Sequence, residues 1–144
     1  MKYSDFVGRV RTLDIKINQQ LLEAERLKNL CEQITTIWLD DVRIQASAEN
    51  KQEQRLIELV DCKRELDSLV DKRNEVVQEL TDFFNNSLSF EDADTLILKY
   101  IHGKSIGAIA DIKTLSYSGA ASKIYRADLR ARQRYEEKKG ANDV

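Results

Sequence analysis

The stretch YSDFVGRVRTLDIKINQQLLEAERLKNLCEQITTIW, residues 3–38, decides the fold class. Its apolar residues recur at Phe6, Val10, Leu13, Ile17, Ala24, Leu27, Cys31, Ile34 and Trp38, in steps of four and three broken only at Gln20. That spacing is a heptad seam along one face of a helix. A helix of this length, rising about 1.5 Å per residue, reaches on the order of 50 Å. It cannot bury its seam against itself and needs a partner.

The chain supplies one. Leu56, Leu59, Leu66, Val70 or Leu69, Val76 or Val77, Leu80 and Phe83 or Phe84 form a second stripe. Residues 40–50 between them are mixed and aperiodic, and the chain is expected to fold back there into a long antiparallel helical hairpin. One register pairs Leu13 with Leu80, Ile17 with Val76, Ala24 with Leu69, Leu27 with Leu66, Cys31 with Cys62 and Ile34 with Leu59. It leaves a single polar layer, Gln20 with Arg73, of the kind that can fix a register. In this register the two cysteines face each other, and Trp38 caps the seam near the tip. Leu21, Leu30, Ile37, Ile57 and Val60 lie off the seam. A second copy or the C-terminal helices must cover them, and a homodimer is the expectation.

Composition agrees with long helices. The chain has no proline, and four of its five glycines lie at or beyond Gly103. Proline removes a backbone donor and clashes with the preceding turn, so its absence leaves helices unbroken. Hydrophobic content of 42% with 33% charge fits a folded amphipathic protein rather than a disordered one. No apolar run is long enough to span a membrane and the N-terminus does not read as a signal peptide, so a cytoplasmic location is expected. Cys31 and Cys62 read as thiols in a reducing compartment.

The net charge of −2 hides an asymmetry. Residues 1–98 hold 13 Lys and Arg against 20 Asp and Glu, whereas residues 99–135 hold 8 against 2. A basic end on an acidic chain suggests a local anion-binding surface.

The last third reads as three short helices. Ser89 is an N-cap, with Glu91, Asp92 and Asp94 in the turn that the helix dipole favours for acids. Ala93, Leu96, Ile97, Tyr100 and Ile101 form the apolar face, and Gly103 ends the helix. Ser105 caps a second helix, Ile106 to Lys113, with small Ala110 where a neighbour can cross. Ser118 is expected to cap a third, from Gly119 to Lys138. Helix, short turn and basic helix are what a helix-turn-helix requires. Lys104, Ser105 and Lys113 are placed to hold phosphates, and Ser118, Ser122, Lys123, Arg126 and Arg130 to face the major groove.

The run Leu98-Lys99-Tyr100-Ile101-His102-Gly103-Lys104-Ser105-Ile106-Gly107-Ala108-Ile109-Ala110 resembles sigma-70 region 4-like domains. The whole architecture resembles phage and prophage transcriptional regulators of the RinA and ArpU type, which carry a long helical segment before such a domain. The resemblance implies a scaffold carried by Leu98, Tyr100, Ile101, Gly103, Ile109 and Ala110. The sequence departs from that pattern after Ala110: Thr114 stands at a glycine position, and the segment from Leu115 to Ala121 is about two residues longer than the pattern and unusually small in its side chains.

Lone His102 beside a turn glycine has no ligand partner nearby, and no phosphate loop or nucleophile motif is present. No enzyme activity, metal or cofactor is expected. The reading is all-α: residues 1–86 a hairpin for oligomerisation, 89–138 a helix-turn-helix unit, 139–144 a disordered tail. The expected partners are double-stranded DNA and a second copy, with no membrane. A small terminase-like DNA-packaging subunit, or a module binding RNA polymerase or another host protein, are the alternatives.

Overall fold

The computed structural model describes the backbone of residues 1–40 and 45–142 and the side chains of residues 1–32 and 50–141. Among the described residues it contains five helices and no strand: α1 (Tyr3–Asp40), α2 (Gln45–Ser87), α3 (Phe90–Tyr100), α4 (Ile106–Lys113) and α5 (Tyr117–Asn142). Two boundaries differ from the sequence reading. Helix α2 begins at Gln45, so half of the expected 40–50 connection is helical. Helix α5 begins at Tyr117 and continues to Asn142, so most of the tail expected from 139 extends that helix. There Lys139 donates to the Met1 carbonyl at 3.1 Å and the Tyr135 hydroxyl donates to the same oxygen at 2.9 Å.

The chain divides into two compact units, and the division cuts through helices α1 and α2 rather than between α2 and α3. One unit comprises residues 1–12 and 73–144, the other residues 13–72. The expected boundary near residue 86 is therefore not where the packing divides. The start of α1 and the end of α2 share a core with α3 and α5: Tyr3, Phe6, Val7, Val10, Leu80 and Phe84 pack with Ala93, Leu96, Ile101, Ala127 and Ala131. Within this unit α1 and α2 meet in opposite directions, with Phe6 edge-on to Phe83 at 5.3 Å and Arg9 paired with Glu79 at 3.0 Å.

The buried side of α5 is mostly small. Ala120, Ala127 and Ala131 are fully buried, which lets the other helices approach its backbone closely. Asp128 lies on the same helix and gathers three elements at one carboxylate. It accepts from the Tyr3 hydroxyl at 3.0 Å and the Tyr100 hydroxyl at 2.8 Å, and pairs with Lys99 at 2.9 Å. Burial, reinforced by the Asp128 carboxylate, pushes both phenols above their ordinary value of 10.0.

The second unit, residues 13–72, buries Leu13, Leu27 and Cys62 and half-buries Ile17, Ala24, Cys31, Leu59, Leu66 and Leu69. The α1 seam is inward as expected, but its register is not the expected one. The Cys62 thiol donates to the Gln20 carbonyl at 3.5 Å, and the Gln20 amide reaches Glu65. Gln20 thus meets Glu65 rather than Arg73. With Cys62 beside Gln20, Cys31 lies eleven residues further along α1, on the order of 16 Å away. The expected cysteine pairing does not form. On α2, Leu59, Leu66 and Leu69 are inward, with Leu69 rather than Val70 on the stripe, whereas Leu56 is exposed. Leu21, Ile57 and Val60 are exposed as expected, whereas Leu30 is half-buried. The side chains of Ile34, Ile37 and Trp38 lie outside the described residues, so the Ile34–Leu59 pair and the Trp38 cap are not covered by them.

Two outcomes follow. Leu80, fully buried between α1 and the C-terminal helices, should cost about 3 kcal/mol in urea denaturation as Leu80→Ala, while Phe90→Ala, at 83% exposed, should stay within about 0.5 kcal/mol. Because the folded phenols are raised, their stabilisation is complete at neutral pH. It is lost as pH climbs past about 10, where the unfolded chain ionises first. The melting temperature should therefore fall above that pH, and fall less in Tyr3→Phe.

Candidate nucleic-acid interface

Each short helix is set by local signals. The Ser89 hydroxyl accepts from the Asp92 N–H at the start of α3, and the Ser105 hydroxyl accepts from Ala108 N–H at 3.2 Å at the start of α4. Helix α3 ends where Gly103 takes φ +63°, and the Lys104 N–H donates back to the Leu98 carbonyl at 3.0 Å. That closure satisfies a carbonyl that the helix end would otherwise leave unpaired. Ser105, expected on a phosphate, is thus engaged as a cap, while Lys104 is exposed beside it.

The turn between α4 and α5 rests on Thr114. Its φ and ψ of 54° and 46° are left-handed, and the Leu115 N–H returns to the Ala110 carbonyl at 2.9 Å. A β-branched residue is poorly suited to this conformation. The turn therefore keeps a glycine-type geometry without a glycine. The chain leaves it directly into Ser116, whose hydroxyl accepts from the Gly119 N–H at 3.1 Å. Ser116, not Ser118, is the side chain that caps α5, and the helix begins two residues earlier than expected. A Cβ at Gly119 would stand 3.0 Å from the Ser116 hydroxyl, so the small residue there leaves the cap in place.

Five expected contact residues come together. Ser118, Ser122, Lys123, Arg126 and Arg130 line one open cavity of 530 Å³ with Asp92, Leu115, Ser116 and Gly119. Lys104, Ser105 and Lys113 are not part of its lining. The cations, however, are largely neutralised from within. Lys113 pairs with Asp94 at 2.7 Å and Glu91 at 3.5 Å, and its side chain is only 11% exposed. Lys123 pairs with the same Glu91 carboxylate oxygen, and Arg130 pairs with buried Asp92 at 2.6 Å. The hydrogen bond from Lys123, then the charge of Lys113, hold the Glu91 carboxyl below its ordinary range. Burial opposes the charge on Lys113, but the Asp94 and Glu91 carboxylates outweigh it and raise its value. Arg126 is exposed in the same cavity and has no carboxylate partner among the described residues.

The sequence reading missed the acids Glu91, Asp92 and Asp94 as part of this surface, having assigned them to the α3 dipole. It also missed several exposed apolar residues. Ile112, Leu115, Tyr117, Tyr125 and Leu129 are 39–65% exposed on α4, the turn and α5. Their spacing along α5 was the available signal: Tyr125 and Leu129 share the face of Ser122 and Arg126. Among the described residues no cluster of His, Cys, Asp and Glu could hold a metal ion, and no helix is long and apolar enough to cross a membrane. Comparison with protein families, curated proteins and solved structures finds no match to this chain.

Relieving the left-handed strain at the turn should outweigh the extra freedom of the unfolded chain. Thr114→Gly is expected to stabilise by about 0.5 kcal/mol, read as a rise in melting temperature.

Proposed function

We propose that this chain is a non-catalytic, DNA-binding transcriptional regulator of phage type, with α4 and α5 as its helix-turn-helix and α5 as the helix that enters the major groove. The observation that carries this reading is the cavity along the start of α5. Small and hydroxylated residues, Ser116, Ser118, Gly119 and Ser122, open onto the same surface as Lys123, Arg126 and Arg130. Small side chains let a helix approach base edges, and the cations beyond them meet phosphates. The left-handed turn at Thr114 is the geometry such a motif needs between its two helices, which supports carrying over the resemblance seen in residues 98–110.

On this reading, α1 and α2 are a hairpin that joins two copies. Leu21, Leu22, Leu56, Ile57 and Val60 are 47–67% exposed in the unit formed by residues 13–72, and large exposed apolar patches mark association surfaces. A second reading, a module that binds RNA polymerase or another host protein, is favoured by the exposure of Ile112, Leu115, Tyr117, Tyr125 and Leu129. Tyrosine and leucine beside a shallow cavity suit a protein partner as well as a sugar–phosphate edge.

Fluorescence anisotropy with labelled duplex DNA tests the first reading. Lys104→Ala with Arg126→Ala, both exposed, should weaken binding across sequences and lower the salt slope by about two. An unchanged affinity and slope would favour the protein-partner reading.

A further inference from the structure

The first turn of α3 presents two acids to α5, and they differ in what they can do. Asp92 is 7% exposed, and its backbone N–H is held by the Ser89 cap, so it is fixed in place. Its partner Arg130 is the exposed member of that pair, with a side chain 57% exposed. Glu91 is the reverse. Its side chain is 61% exposed, while the lysines that grip it are held back at 11% and 31% exposure. Lys113 has a second anchor in Asp94 and stays where it is when Glu91 leaves.

We infer that Glu91 is an internal competitor for DNA phosphate. Its carboxylate oxygen, gripped by Lys113 and Lys123 together, stands where a backbone phosphate oxygen binds in the complex. This rests on the DNA-binding reading above. The chemistry is like for like: both ligands offer an anionic oxygen to two ammonium groups, and a phosphate offers more acceptor oxygens. The exposed glutamate side chain rotates into solvent without disturbing a packed element, and at the start of α3 it keeps the favourable helix dipole. The effect is to subtract one lysine from the sequence-independent attraction to DNA. Because that attraction grows with each phosphate neutralised, the clamp weakens non-specific binding most.

The test compares wild type with Glu91→Gln on a labelled mixed-sequence duplex across a salt series. Glu53→Gln, exposed in the other unit, serves as a charge-matched control. Glu91→Gln should bind about fivefold tighter, with a salt slope steeper by about one and a melting temperature lower by no more than a few degrees. Glu53→Gln should gain much less, and adding Lys123→Ala to Glu91→Gln should abolish the gain. If wild type binds and Glu91→Gln binds no better, or the gain survives Lys123→Ala, the competitor role is overturned while DNA binding stands. If neither folded protein binds the duplex at low salt, the DNA reading fails and takes this inference with it.

Discussion

Asp128 accepts hydrogen bonds from Tyr3 and Tyr100 and pairs with Lys99, so a single carboxylate joins the start of α1, the end of α3 and the middle of α5. With its side chain only 19% exposed, it must keep its partners, because a partly buried charge without donors is costly. Around it stand the rings of Tyr3, Phe6, Phe83, Phe84, Tyr100 and Tyr135, with centroids 4.9–6.3 Å apart. Tilted and edge-on contacts of this kind add to simple area burial. The remaining elements are positioned by this knot: α5 cannot turn about its axis without breaking it. The faces that α5 offers to α4 and to solvent are fixed with it.

That constraint places the serine-lined start of α5 and its cations on one surface, and also brings them under the acids of α3. Part of the basic stretch in the sequence is therefore paired with acids in the fold. Of the four cations among the expected contact residues on α4 and α5, Lys113, Lys123 and Arg130 are engaged, and Arg126 alone lacks a carboxylate partner among the described residues. Exposed ion pairs of this kind contribute little to stability. Their larger consequence is for what the surface binds, since an engaged lysine offers less to a phosphate.

The unit of residues 13–72 poses the opposite problem. Two helices can bury only one seam between them, and the apolar residues of α1 and α2 exceed one seam. Leu21, Leu22, Leu56, Ile57 and Val60 are left on solvent. Long charged side chains soften that surface, with Arg26 paired to Glu23 and Arg55 to Glu58 at helical spacing.

By itself, the sequence determined what depends on neighbours along the chain. The seam of α1, the Ser89 and Ser105 caps, the glycine stop at Gly103 and the span Ile106–Lys113 all follow from local spacing, capping and backbone freedom. The left-handed turn at Thr114 was legible only as a departure from a glycine pattern, and the cap moved from Ser118 to Ser116 because that turn releases the chain early. Tertiary structure decided what depends on distant residues. It set Gln20 against Cys62 and Glu65 rather than Arg73, since several apolar alignments of two long stripes score alike and only the packed core selects one. It merged the ends of α1 and α2 into the C-terminal core. It also gave Lys113, Lys123 and Arg130 their acids, because opposite charges 19 to 38 residues apart in sequence find each other only when helices cross.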